Sequence, residues 1–181
     1  FLKNNYKFSN NSEKKSKDLL YLGCNYPGFF PKTSKKLIDI CMKMSIDYSI
    51  DCCKKPVYEK GGVAKISQIE NLCKRKNVER LICCCPNCYH LLKDKLDVKV
   101  ISVYKFLREN NIGQQIQEEA NVFFPCSDRY NHEIFRDIEY YIKNYKNPYK
   151  EMNCCGLGGG AIDYEKDLVE NLSKYMNENS K

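Results

Sequence analysis

Hydrophobic positions along the chain alternate between short apolar runs and helical periods. The runs predict β-strands over 19–22, 46–50, 80–84, 98–101 and 122–124. Apolar residues spaced three and four apart predict helices over 32–44, 63–76, 103–110, 132–143 and 163–176, and another helix that begins at 89. Short strands alternating with longer helices indicate an α/β fold with a largely parallel sheet flanked by helices.

The composition and charge of the chain argue against a membrane-spanning or nucleic-acid-binding protein. The chain has 181 residues, 43% of them apolar, which suits one domain or two small halves. No uncharged apolar run approaches the ~20 residues that a bilayer span needs. The net charge is +7, but the lysines are scattered, so we interpret the charge as solubility and expect no nucleic-acid partner. Residues 1–18 are polar and lysine-rich, so they are predicted to be a linker or tail and show no signal peptide.

The chain contains twelve cysteines, and several of them are adjacent in sequence. They lie at 24, 41, 52, 53, 73, 83, 84, 85, 88, 126, 154 and 155. Adjacent cysteines cannot easily bridge each other, so a disulfide framework explains them poorly. Thiolates with only two histidines in the chain favour iron–sulfur or zinc chemistry instead. The interpretation implies a reducing compartment, so we expect a cytoplasmic protein that meets a membrane only through partners.

The cysteine spacing contains a repeat. Cys24 and Cys52 are 28 positions apart, as are Cys126 and Cys154, and a second cysteine follows each of the later two. This offset predicts two copies of one unit, over 19–115 and 116–181. The first copy adds a CxxC, Cys85 to Cys88, whose equivalent in the second copy falls beyond the last residue. The second motif is therefore incomplete in this sequence.

The predicted sheet gives these cysteines a common location. The cysteines at 24, 52, 53 and 85 each follow a predicted strand. The carboxyl ends of parallel strands share one edge of a sheet, where ligands usually bind. We therefore expect a metal site at that edge, which we call the first thiol set: Cys24, Cys52, Cys53, Cys85 and Cys88.

This pattern resembles the cysteine-rich CCG domain family, which includes a subunit of heterodisulfide reductase and the iron–sulfur subunits of glycerol-3-phosphate and lactate oxidation systems. Pro56, Gly62 and the run Cys154-Cys155-Gly156-x-Gly-Gly-Gly also resemble its motifs, whereas Lys54 occupies the position of the first motif's glycine. The resemblance implies two pseudo-symmetric modules and a [4Fe-4S] centre, noncubane in the heterodisulfide reductase branch, held by the first thiol set. Three further residues match the first ligands of a second cluster and form the second thiol set: Cys126, Cys154 and Cys155.

The resemblance predicts an iron–sulfur electron-transfer or disulfide-reductase subunit of heterodisulfide reductase-like type. Such a subunit implies flavin- or ferredoxin-type electron-transfer partners and a disulfide or quinone acceptor. Alternatives from the residues themselves are a zinc-stabilised protein-interaction module without redox activity and a dithiol switch at the CxxC. Cys41 and Cys73 are expected in the core. His132 is either a surface residue or an accessory group near Cys126.

Overall fold

The chain divides into two units, Phe1–Phe106 and Leu107–Lys181. The computed structural model describes residues 14–152, 154–156, 158 and 161–179. Residues 1–13 of the expected tail lie outside the described residues. The last residues of that tail are not a free linker, because they pack against the first unit. Ser16 is buried and its amide donates to the Lys76 carbonyl at 2.9 Å.

The first unit alternates strands and helices. Its elements are β1 (Asp18–Tyr21), α1 (Asn25–Phe29), α2 (Pro31–Lys43), β2 (Asp47–Ser49), α3 (Lys55–Glu59), α4 (Ser67–Lys76), β3 (Arg80–Cys83), α5 (Pro86–Leu92) and β4 (Lys99–Ser102). A further helix, α6 (Val103–Glu109), contains the division between the units. Pro31 and Pro86 begin helices because proline's fixed φ suits the first helical turn. Asn77, with φ +55°, ends α4 in the left-handed conformation.

The four strands form one parallel sheet in the order β2-β1-β3-β4. Leu19 and Leu20 point to opposite faces of β1, and both are fully buried. A sheet buried on both faces is typical of parallel strands covered by helices. The predicted α/β fold with a parallel sheet and flanking helices is therefore confirmed for this unit.

A buried hydrophobic cluster lies on one face of this sheet and includes thiols. Leu19, Tyr21 and Leu81 from the strands pack against Ile69 and Leu72 of α4. The same cluster contains four cysteines: Cys53, Cys73, Cys83 and Cys88. Cys41, on the buried face of α2, is also inaccessible, so the two helix cysteines expected in the core are there.

The second unit has less regular structure. Two-residue strands β5 (Ala120–Asn121) and β6 (Tyr145–Lys146) pair in parallel. The helices that lie wholly within it are α7 (Glu133–Ile138), α8 (Ala161–Tyr164) and α9 (Lys166–Glu178). The strand expected over 122–124 is observed as β5, which ends one residue before that range. The pseudo-symmetric arrangement of two modules stays a prediction.

The helix expected over 132–143 was too long, because α7 ends at Ile138. Ile116 forms an isolated parallel bridge with Ile142, and its amide donates to the Tyr141 carbonyl at 2.7 Å. This pairing with a distant segment removes residues 141–142 from the helix. Apolar periodicity could not show it, because the competing partner lies 26 residues earlier in the sequence.

Candidate functional site

Three neighbouring strands deliver the first thiol set to one edge of the sheet. Cys24 follows β1, Cys52 and Cys53 follow β2, and Cys85 follows β3. Cys85 is the N-terminal cap residue of α5, and Cys88 lies in the first turn of that helix. Because β2, β1 and β3 are adjacent and parallel, these residues all lie at the carboxyl edge. This is the edge at which the sequence predicted a site.

The thiols of this set contact one another in a continuous chain. Side-chain interactions that shift the pKa values of the thiols join Cys24 to Cys52, Cys52 to Cys53, Cys53 to Cys88 and Cys88 to Cys85. All five residues are thus connected, although they span 65 positions of sequence. The three inner thiols are buried, with exposures of 1% for Cys52, 3% for Cys53 and 2% for Cys88. Cys24 and Cys85, at the two ends, are half-buried.

The surroundings raise the pKa of some of these thiols, which stay protonated, and lower the pKa of others, which become thiolates. The Cys24 and Cys53 thiols and the Lys54 amide, 3.3 Å away, hydrogen-bond to Cys52 Sγ and lower the pKa of Cys52. The same hydrogen bond raises the pKa of Cys24. At the other end, the Cys88 thiol and two backbone amides of α5 lower the pKa of Cys85 to about 6. Thiolates are the form that binds metals, so Cys52 and Cys85 are the sulfurs best prepared for it.

Lys54 is the unexpected residue of the site. Its side chain is fully buried and its backbone is left-handed, with φ +68°. Burial lowers its pKa, and the Cys52 thiolate opposes that change. The family motif has a glycine at this position, and glycine adopts positive φ readily, so the motif itself indicated a left-handed backbone here. Nothing in the sequence indicated that the lysine side chain would be buried.

Two further features bear on whether the site fits a bound group. Gly23 has φ +71°, and a Cβ placed there would lie 2.9 Å from Cys88 Sγ, so the backbone passes closely over that sulfur. Tyr21, at the end of β1, is fully buried, and its hydroxyl has no hydrogen-bond partner. An all-sulfur donor set suits soft metals. The donor chemistry, the close backbone approach and the unpaired hydroxyl are all compatible with a thiolate-bound metal.

The arrangement of the thiols is nevertheless not that of a formed metal site. Within the described residues, no group of three or more cysteine, histidine, aspartate or glutamate side chains is placed to hold a metal ion. The first thiol set is connected in successive pairs and does not surround a single point. Binding a metal would require the sulfurs to lose their protons and to turn toward a common centre.

The second thiol set is looser. Cys126 and Cys154 are exposed, and their thiols contact each other, with Cys155 nearby and half-buried. The Gly156 amide donates to Cys154 Sγ at 3.3 Å, and Gly156 has φ +75°. Lys54, 102 positions earlier, has the same left-handed backbone and donates the same 3.3 Å hydrogen bond to Cys52. The two cysteine pairs therefore share one local geometry.

The remaining candidate residues lie away from these contacts. His132 stacks on the Phe124 ring at 4.3 Å between centroids. Cys83 is part of the buried cluster that contains Cys53 and Cys88, and Cys84 is buried near Cys41. Gly156 approaches α9, because a Cβ there would lie 3.1 Å from Val169 Cγ2. Gly159 and Gly160, the last glycines of the motif after Cys155, lie outside the described residues.

No family model matches the chain, and no curated protein or solved structure is significantly similar to it. The resemblance to the CCG family therefore depends only on the cysteine pattern and on the proline and glycines that accompany it in the sequence. In the part of the chain that the structure describes, no helix is both long enough and apolar enough to cross a membrane.

Proposed function

We propose that the first thiol set binds a cysteine-ligated [4Fe-4S] centre and that the chain is an electron-transfer or disulfide-reductase subunit. The observation that carries this proposal is the continuous contact of Cys24, Cys52, Cys53, Cys85 and Cys88 at one edge of a parallel sheet. These are the residues that the CCG pattern assigns to a cluster. A random distribution of twelve cysteines gives no reason for these five to meet.

When bound, such a centre accepts and releases single electrons. The chain's own contribution is the environment. Cys52, Cys53 and Cys88 would hold the centre in a region closed to water, because all three are buried. The half-buried Cys24 and Cys85 are the two places where a partner or a substrate disulfide can approach. Lys54 places a positive charge beside the thiolates, and a nearby positive charge favours the more negative, reduced form of a centre.

The proposal extends to two pseudo-symmetric modules. It is supported by the shared left-handed residue after the cysteine pairs and by the two 3.3 Å amide-to-sulfur hydrogen bonds of Lys54 and Gly156. The second module offers three thiols, two of them exposed, so we assign it no complete cluster. Three thiolates leave the fourth position of a zinc site for water or another ligand.

This function requires other proteins. Flavin- or ferredoxin-type subunits would supply or receive the electrons, and the acceptor would be a disulfide or a quinone. Reduced thiols at these positions favour the cytoplasm as the compartment, with any membrane association through those subunits.

A zinc-stabilised interaction module is the second candidate, favoured by one observation. The thiols of the first set interact with each other in successive pairs. Two sulfurs at ~2.3 Å from one tetrahedral ion are themselves roughly 3.8 Å apart, a separation close to a thiol–thiol contact. A compact single ion therefore needs less rearrangement of the thiols than a four-iron centre does.

The discriminating measurement is the iron, zinc and acid-labile sulfide content, with a visible spectrum, of the chain purified without oxygen. About four irons with matching sulfide and a brown colour are expected for one cluster. A colourless chain with one zinc and no sulfide would replace the redox proposal with the zinc module. A chain that binds neither metal, even after anaerobic reconstitution with iron and sulfide, would end both.

A further inference from the structure

Tyr21 carries a buried hydroxyl that the folded chain leaves without a partner. The residue is fully buried at the end of β1, and its oxygen forms no hydrogen bond. Buried polar groups in proteins are nearly always hydrogen-bonded, because leaving one unpaired costs its full desolvation. A phenol at this position instead of a phenylalanine, which would fill similar space without that cost, therefore requires an explanation.

The surroundings of Tyr21 consist largely of sulfur. In the sheet register it lies beside Cys83 of β3, and it belongs to the buried cluster that contains Cys53 and Cys88. Burial, and after it the nearby sulfurs of Cys88, Cys53, Cys83 and Cys52, raise the pKa of Tyr21. Cys88 Sγ also lies against the backbone of Gly23, two residues after Tyr21. Three of these four sulfurs belong to the first thiol set.

No sulfur is placed to accept a hydrogen bond from this hydroxyl in the metal-free chain. The Cys88 and Cys53 thiols interact with each other, and each also interacts with the next thiol of the first thiol set. A protonated thiol is also a weak acceptor. Binding a metal removes the thiol protons and turns the sulfurs toward the metal. The sulfurs then become thiolates, which accept charge-assisted hydrogen bonds.

We propose that the Tyr21 hydroxyl donates a hydrogen bond to a metal-bound sulfur of Cys88 or Cys53, and so positions the sulfur and raises the reduction potential of the centre. This inference depends on the proposed metal site. A hydrogen bond to a cluster sulfur withdraws electron density and favours the reduced form. Tyr21 acts through the sulfur ligand and does not itself touch a substrate.

The test compares wild type with Tyr21→Phe, after anaerobic reconstitution with iron and sulfide. In the loaded chain, the substitution is expected to shift the reduction equilibrium about tenfold toward the oxidised form, which is ~59 mV for one electron. In the metal-free chain it removes only an unpaired hydroxyl, so the thermal unfolding midpoint is expected to stay the same or rise. A purely structural tyrosine would give the opposite result, a lower midpoint without metal.

Tyr149→Phe is the matched control, because Tyr149 is a buried tyrosine of the second unit. It should leave the potential unchanged. The inference is overturned if Tyr21→Phe has the wild-type potential, or if it destabilises the metal-free chain. If wild type binds zinc alone, the redox proposal fails, and the inference then requires Tyr21→Phe to weaken zinc affinity about tenfold. If wild type binds no metal, both fail.

Discussion

The two thiol sets have the same spacing in sequence and different surroundings in the fold. In each, an amide two residues after the first cysteine of the pair donates to its sulfur at 3.3 Å. Yet Cys52 is buried, whereas Cys154 is exposed. The first set also gains the CxxC thiols, through the contact between Cys53 and Cys88.

The supporting sheets account for this difference. The first set lies at the end of four parallel strands whose central residues are buried on both faces. The second set follows strands of two residues each, β5 and β6, which bury little. Cysteine spacing thus brings thiols near each other, whereas a buried sheet with several parallel strands encloses them and adds further thiols.

We expect the largest effect in metal content, when one cysteine of each thiol set is replaced by alanine. Cys53→Ala removes the thiol that connects Cys52 to Cys88, so we expect it to abolish most of the bound metal. Cys126→Ala removes an exposed thiol of the second set and is expected to leave the content of the first site unchanged. Metal analysis of anaerobically reconstituted chains measures both.

Alanine is suitable in this comparison because it is small and apolar, and the unfolding midpoint of each metal-free variant shows whether the fold survives. Equal metal loss in the two variants would mean that the sets act together. No loss in a folded Cys53→Ala chain would remove the first set as the binding site.

Each unit contains a lysine–carboxylate ion pair, which is buried in the first unit and exposed in the second. Lys76 Nζ lies 2.6 Å from Asp47 Oδ2, with side-chain exposures of 0% and 9%. Asp47→Asn leaves a buried ammonium without its counter-charge, so we expect a loss of ~3–5 kcal/mol in the free energy of unfolding. In the second unit, Lys146 and Glu119 form an exposed pair, and Glu119→Gln should cost at most ~1 kcal/mol.

Urea unfolding measures both costs, and the exposed pair is the control for the loss of a carboxylate. Similar small costs would show that the Lys76 ammonium reaches water or another acceptor when Asp47 is neutralised.

Backbone geometry at the first set gives a third prediction. Gly23→Ala would place a Cβ 2.9 Å from Cys88 Sγ at a left-handed position, so we expect about 3 kcal/mol of destabilisation. Gly28→Ala in α1 meets nothing within 4 Å and should stabilise the chain by up to ~1 kcal/mol. Urea unfolding of the metal-free chains distinguishes them, and a neutral Gly23→Ala would show that the backbone there does not crowd the sulfur.

The smallest effect is a difference in thiol reactivity with pH. The pKa of Cys85 is lowered to about 6, chiefly by the hydrogen bond from the Cys88 thiol, whereas burial raises the pKa of Cys126 above its usual value. The Cys85 thiolate forms as the pH rises through 6, so at pH 7 most of Cys85 is ionised and little of Cys126 is.

In the metal-free chain at pH 7, we therefore expect iodoacetamide to modify Cys85 about tenfold faster than Cys126, even though Cys126 is more exposed. Peptide mass spectrometry follows both sites. Faster modification of Cys126 would mean that access, not ionisation, controls these thiols.

The sequence predicted much of the first unit because its signals are local. The strand expected over 19–22 and the helix expected over 32–44 each lie within one residue of the observed β1 and α2. Parallel pairing followed from the alternation of strands and helices, and the edge location of the cysteines followed from parallel pairing. Local signals failed at α7, where the distant Ile116 takes residues 141–142 into a bridge.

Spacing and periodicity alone therefore determined the α/β class of the first unit, the choice of five cysteines and the edge at which they lie. The three-dimensional packing was needed to show that Lys54 is buried beside Cys52, that Tyr21 has an unpaired hydroxyl among sulfurs, and that two of the three thiols of the second set are exposed. The physical reason is that backbone periodicity depends on neighbours in sequence. Burial and hydrogen-bond partners depend on strands that meet across tens of residues, as β1 and β3 do at Tyr21 and Cys83.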